Sequence, residues 1–292
     1  MIPKIIHRMW LDKNINDNNY APSKYDKFIK TFNKHNKEFA VEFWNMTRVK
    51  NLFDKYPCIS KYKSMWYSLP NHIQKCDVAR FIILYLFGGI YIDLDFVCFK
   101  NLSPLLNREI LLVFEPIEHS EIHKDQIERR LYNGFIGSVP NHPFWLEWLD
   151  FIIESLKRTS DVLQTSGPVN FRVFFNQSIY TNIEIVSTCD ILPLYVKNNT
   201  NYITKDCTHR TRDFVDNYQN KMNNYVHTKW IEGSGWGAEK LEKPGNITYP
   251  MEQMQIRHFN YLIIFILIMI ILVAIILIYL CIKKQRFFVT LN

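Results

Sequence analysis

The chain has 292 residues, 48% of them hydrophobic and 22% charged, which is enough apolar material for one sizeable core but tight for two full domains. Its formal net charge of +7 is not laid out as a nucleic-acid patch. Lys283, Lys284 and Arg286 crowd positive charge into the last residues and no dense basic run occurs elsewhere, which argues against nucleic acid as a partner.

Taken in chain order, residues 25–36 carry helical apolar spacing. A second helix is announced by Pro70, with Ser68 or Asn71 near its cap, and apolar residues then recur at Ile73, Ala79, Ile82, Ile83, Leu86 and Phe87 until Gly88 stops it. Gly88-Gly89 reads as a turn into a strand, Ile90-Tyr91-Ile92-Asp93-Leu94-Asp95. Ile110–Phe114 and Ile183–Val186 read as short strands, and 144–157 as a helix begun by Pro143. Asn-rich stretches at 14–19, 198–201 and 217–224 mark polar loops. This alternation predicts an α/β fold, a mixed sheet flanked by helices. The segment 239–255, with Pro244, Gly245 and Pro250, reads as a linker. Residues 261–282 hold no charged side chain and would span about 33 Å as a helix, matching a bilayer core, with Tyr261 and Tyr279 placed as interfacial aromatics.

Chemistry concentrates between Asp77 and Asp95. Asp77 and Arg80 are three apart on one helix face, so an acid and a base can point together at one ligand. On a strand of period two, Tyr91, Asp93 and Asp95 share one side and Ile90, Ile92 and Leu94 the other. Two carboxylates held that close repel unless a hard divalent cation neutralises them.

The run Asp77-x-x-Arg80, Leu84-Tyr85, Gly88-Gly89-Ile90-Tyr91-x-Asp93-x-Asp95 closely resembles the sugar-nucleotide motif of the family 32 glycosyltransferases, the group of the fungal initiating alpha-1,6-mannosyltransferases and sphingolipid mannosyltransferases. The resemblance implies a GT-A type nucleotide-sugar-binding domain, with Asp93 and Asp95 holding Mn2+ (or Mg2+) and the donor diphosphate, and Asp77 and Arg80 contacting the donor sugar. It extends to other segments. Ile2-Pro3-Lys4-Ile5-Ile6-His7-Arg8-Met9-Trp10 looks like the family's opening strand, which makes Trp10 a stacking partner for the donor base. Glu42-Phe43-Trp44-Asn45 looks like its second strand. Asn133-Gly134-Phe135 is similar to its Asn segment, Thr165-Ser166-Gly167-Pro168 to its Thr-Gly-Pro turn with one residue inserted, and His227 with Ser234-Gly235-Trp236 to a variant of its His-then-Ser-Trp segment. The implied donor-binding set is Trp10, Asp77, Arg80, Tyr91, Asp93, Asn133, Ser234 and Trp236, and His227 is a further metal ligand or phosphate contact. The implied partners are a nucleotide sugar (GDP-mannose or a UDP-hexose), a glycan or lipid acceptor and a membrane.

The domain plan that results is a GT-A catalytic domain at 1–240, a linker at 241–260, a C-terminal transmembrane helix at 261–282 and a short basic tail at 283–292, in an endomembrane (ER or Golgi) or a viral membrane. Its orientation is contested. A catalytic fold beginning at Ile2 leaves no room for a signal peptide and favours a tail anchor with a cytosolic enzyme, whereas the basic tail favours a lumenal one. The six cysteines form no Cys-x-x-Cys pair, so no zinc knuckle or dithiol motif is supported. Two rivals stand beside the transferase. Asp93-x-Asp95-x-Val97 also matches the nucleophile motif of haloacid-dehalogenase-type phosphatases, although their Gly-Asp-x-x-x-Asp is missing here. The other rival is a catalytically inactive, membrane-anchored carbohydrate-binding protein, which would have no use for the clustered carboxylates.

Overall fold

The computed structural model describes residues 1–11, 21–197, 200–210 and 226–228. All of them lie in the first of two compact units, Met1–Ile247. The expected linker, the membrane helix at 261–282, the basic tail, and Ser234 and Trp236 lie outside the described residues. Among the described residues no helix is long and apolar enough to cross a membrane.

The chain opens with β1 (Ile5–Met9), α1 (Asp26–His35), β2 (Ala40–Trp44), α2 (Met46–Lys55) and α3 (Lys63–Ser68). Then come α4 (His72–Phe87), β3 (Gly89–Ile92), β4 (Phe96–Cys98), β5 (Ile110–Phe114), α5 (Ile117–His123) and β6 (Leu131–Ser138). They are followed by α6 (Phe144–Leu156), α7 (Pro168–Gln177), β7 (Ile183–Val186), α8 (Thr188–Ile191), β8 (Leu194–Lys197), β9 (Thr200–Ile203) and β10 (Val226–Thr228). Six strands form one sheet in the order β2-β1-β3-β6-β5-β7. β1 runs parallel to both β2 and β3, β6 is antiparallel to β3 and β5, and β7 is parallel to β5. The sheet is therefore mixed, as the α/β alternation predicts.

Its two faces bury separate cores. Tyr91, Ile110, Leu112 and Ile136 pack towards α2, α3, α4, α6 and α7, where Phe81 stacks on Trp145 at 5.7 Å and meets Trp148 edge-on. Ile90, Ile92, Leu111 and Phe135 pack on the opposite face with Phe32 of α1. Helix α4 is covered nearly all round, with every residue from Asp77 to Leu84 buried, which explains why its apolar positions do not form a single stripe.

Helix α4 starts at His72, two residues after Pro70. Asn71 is the N-cap, and the Gln74 side chain accepts from the Asn71 N–H at 3.2 Å, so Pro70 precedes the helix instead of opening its first turn. At the other end Gly88 and Gly89 have φ of 62° and 85°. A Cβ on Gly88 would lie 2.7 Å from Pro140 N and Ser138 O, and one on Gly89 2.7 Å from Ile5 O, so this turn accepts nothing larger than glycine. It reverses the chain from α4 directly into the centre of the sheet. Buried His7 secures the same corner. Trp44 Nε1 donates to its Nδ1 at 3.1 Å, which leaves Nε2–H to donate to the Gly88 carbonyl at 2.8 Å.

The strand is also shorter than its residue pattern predicts. β3 ends at Ile92, not at Asp95, and the alternation of faces holds only that far. Asp93 to Phe96 instead form a turn, in which Phe96 N–H donates to the Asp93 carbonyl at 3.4 Å. Ile92 pairs with Phe135 in regular register and Asp93 N–H still takes the Gly134 carbonyl at 2.8 Å, but the Asp93 carbonyl accepts from Arg8 Nη1 and from the turn's own Phe96 N–H, which draws the chain out of the ladder although β6 runs on to Leu131.

Candidate active site

Three elements converge where β3 leaves the sheet: the inner face of α4, the turn after β3 and the start of β6. Arg80 is the hub. Its Nη2 lies 3.1 Å from Asp77 Oδ1, its Nη1 donates to the Asn133 carbonyl at 2.6 Å and lies 3.5 Å from Asp93 Oδ1. Its guanidinium also sits 4.8 Å from the centre of the Tyr91 ring. Tyr91 Oη donates to Asp93 Oδ1 at 2.9 Å. Asp77 is 1% exposed and both its oxygens are occupied, Oδ1 by Arg80 and by Asn133 Nδ2 at 3.0 Å, Oδ2 by Ser166 Oγ at 2.7 Å. Asp77 therefore braces Arg80 from behind, and Arg80 faces Asp93. Asp93, at 33% side-chain exposure, is the member open to solvent.

Gly134 lets the turn sit this close to β6. A Cβ there would run into the Asp93 carboxylate and the Tyr132 hydroxyl. Burial pushes the Asp77 carboxyl up to about 6, with Arg80 pulling the other way. Burial alone would lower Arg80, but the Tyr91, Asp93 and Asp77 side chains hold it above its ordinary value, so the guanidinium stays charged. Tyr91 and Tyr132 are both pushed well up, first by burial and then by the acidic groups beside them.

Trp10 follows β1 at the same edge of the sheet, half-buried, its ring 5.8 Å from that of Tyr25. Both rings pack with Leu94, the middle residue of the acidic turn. Tyr25 is raised to about 12 by burial and by Asp95 and Asp93, which places its hydroxyl in the field of the two carboxylates. β10 runs antiparallel to β4, the strand that follows the turn, with His227 opposite Val97 in the backbone register.

The structure thus gathers Asp77, Arg80, Tyr91, Asp93 and Asn133 into one hydrogen-bonded network, sets Asp95 in the same turn and Trp10 beside it, and brings the backbone of His227 to the adjacent strand. Two participants carried no role in the sequence. Ser166 lies within the Thr-Ser-Gly-Pro segment, and its inserted position turns out to supply the hydroxyl on Asp77. Tyr25 had no local signal. A disulfide, Cys189–Cys207, which no spacing rule suggests, ties α8 to the helical turn Lys205–Arg210. Arg129 stands beside it and donates to Thr188 Oγ1 and Asp206 Oδ2.

Residues 22–112, which hold α4, the Gly-Gly turn and the acidic turn, match the family described as glycosyltransferase sugar-binding region containing DXD motif. An uncharacterized glycosyltransferase of Acanthamoeba polyphaga mimivirus is 30% identical over 217 residues, 71% of this chain and 80% of that one. The chain belongs to this family. It is a glycosyltransferase, and it is also similar to the inositol phosphoceramide mannosyltransferase 1 of Schizosaccharomyces pombe, at 28% identity over 72% of this chain and 63% of the yeast protein. The initiation-specific alpha-1,6-mannosyltransferase of Candida albicans is 29% identical over 50% of this chain and 35% of its own. Family membership leaves the phosphatase and inactive-binder readings without support.

Proposed function

We propose that this glycosyltransferase is metal-dependent and moves a hexose from a nucleotide sugar to a glycan or lipid hydroxyl. The observation that carries the reading is the turn at 93–96, which holds two carboxylates at the edge of the sheet, Asp93 of them beside a charged Arg80. The donor set fits a hard cation. Asp93 and Asp95 offer oxygen ligands only, both side chains are partly exposed, and two protein carboxylates leave coordination positions for diphosphate oxygens. Asp93 and Asp95 would hold Mn2+ or Mg2+, with His227 as a further ligand reached from β10. When bound, the cation offsets the charge that develops on the departing diphosphate. Among the described residues no group of three His, Cys, Asp or Glu side chains forms a metal site.

The remaining residues divide the donor between them. Arg80, braced by Asp77 and Asn133, orients the sugar and holds positive charge where the bond breaks. Trp10 stacks on the base, and Tyr91 steers Asp93 through its hydroxyl. Ser234 and Trp236 belong to the same proposal through the family motif alone. The mannosyltransferase names of the fungal relatives favour a GDP-mannose donor and an inositol phospholipid acceptor, and the apolar run at 261–282 would hold the enzyme at an endomembrane or viral membrane where such an acceptor resides.

The test is Asp95→Asn together with metal removal. The substitution keeps size and drops charge, while the apolar residues Ile90 and Ile92 that anchor β3 are untouched. Transfer of mannose from GDP-mannose should collapse in the variant, vanish in EDTA and return with Mn2+. Full-rate transfer by the wild type in EDTA would sink the metal reading.

A further inference from the structure

Arg8 is a buried charge that the site chemistry above does not use. It lies on β1 at 1% exposure, its guanidinium 3.9 Å from the centre of the Phe32 ring on α1. Among the described residues no carboxylate pairs with it within salt-bridge reach, and its Nη2 has no hydrogen-bond partner. Among the described residues its hydrogen bonds are from Nη1, to the Ile92 carbonyl at 3.3 Å and the Asp93 carbonyl at 2.5 Å. A guanidinium removed from water without an adjacent counter-ion is costly, and both of these hydrogen bonds fall on the two peptide units where β3 becomes the acidic turn. The Asp93 carbonyl is also the one that accepts the turn's own Phe96 N–H. Arg8 thus grips the hinge of the turn from below, with α1 holding the guanidinium flat against Phe32.

We propose that Arg8 is the positioning residue of the Asp93–Asp95 turn, setting the separation of the two carboxylates that receive the divalent cation. This rests on the metal reading above. The fork matters beyond the charge. Lys at this position keeps the positive field but loses the planar group that stacks on Phe32 while donating to two carbonyls. Arg8→Lys therefore isolates geometry, whereas Arg8→Gln also removes a positive charge whose loss by itself would favour cation binding.

The experiment is titration of Mn2+ into the full-length protein without nucleotide, followed by electron paramagnetic resonance of free Mn2+, alongside circular dichroism. Arg8→Lys is expected to raise the Mn2+ dissociation constant at least tenfold while the spectrum stays native, and to raise the donor KM more than it lowers kcat at saturating Mn2+. A merely structural role would lower Tm and leave the Mn2+ constant of the folded protein unmoved. If Arg8→Lys does not fold, Phe32→Leu, which takes away the ring under the guanidinium, should raise the constant about two- to fivefold. A native Arg8→Lys protein, or failing that a native Phe32→Leu protein, with wild-type Mn2+ affinity overturns the inference and leaves the metal reading standing. Absence of Mn2+ binding by the wild type, with or without added nucleoside diphosphate, overturns both.

Discussion

Replacing Arg80 with Lys preserves the charge facing Asp93 and removes the fork. Arg80 now serves three oxygens, those of Asp77, Asn133 and Asp93, at 3.1, 2.6 and 3.5 Å, from a side chain only 8% exposed. A single ammonium on a shorter reach satisfies one of them well. A buried acceptor that loses its donor costs about 1 to 3 kcal/mol. Asp77 keeps Asn133 and Ser166, and Asp93 keeps Tyr91, so the loss falls mainly on the Asn133 carbonyl and on the aim of the positive charge. We expect a net loss of about 3 kcal/mol in transition-state stabilisation, equivalent to about a hundredfold in kcat/KM at 1.36 kcal/mol per decade. The assay is steady-state transfer from GDP-mannose at saturating Mn2+, well below the Tm of the variant. A kcat/KM within fivefold of wild type would refute the view that the site uses the geometry of the guanidinium as well as its charge.

Acid should destabilise the fold through His7. Burial lowers its pKa from 6.5 to about 4, so the unfolded chain takes up the proton first; stability is full above pH 6.5 and is lost as pH falls towards 4. The His7 contribution to the loss between pH 7 and pH 5 is about 2 kcal/mol, and urea unfolding at the two pH values should show wild type losing that much more stability than His7→Gln, since Asp77 and the other titrating groups are common to both; equal changes would exclude His7. Gly134→Ala should displace Asp93, cutting transfer by at least about a hundredfold at a stability cost of about 1 to 3 kcal/mol; a fully active alanine variant would show that the turn can move aside without consequence. Trp10→Ala should raise the donor KM by the equivalent of about 1 to 3 kcal/mol of lost base stacking, and an unchanged KM would remove Trp10 from the donor site.

Much of this molecule is written locally. Ile110–Phe114 and Ile183–Val186 are strands with the bounds their apolar runs predict, and the helix read at 144–157 is α6, because short apolar stretches between turn residues have few other solutions. The Gly88-Gly89 pair was legible for the same reason, since its positive φ values demand glycine whatever surrounds them. The pairing of Asp77 with Arg80 was legible because helix periodicity puts them on one face, whereas Asp93 and Asp95 were joined to them by the family motif, since the strand alternation that was to align the two carboxylates stops at Ile92. What sequence could not specify were contacts between residues far apart in the chain. The end of β3 at Ile92 goes with the hold of Arg8 on the Ile92 and Asp93 carbonyls, a contact between residues 84 and 85 apart. The enclosure of Asp77 by Ser166 and Asn133 spans 89 and 56 residues, and the hold of Arg8 on Asp93 spans 85. No periodicity extends over such distances. Local sequence chose which side chains could carry charge, and tertiary packing decided which of those charges are braced in the interior, as Asp77 and Arg8 are, and which one, Asp93, is left open at the edge of the sheet.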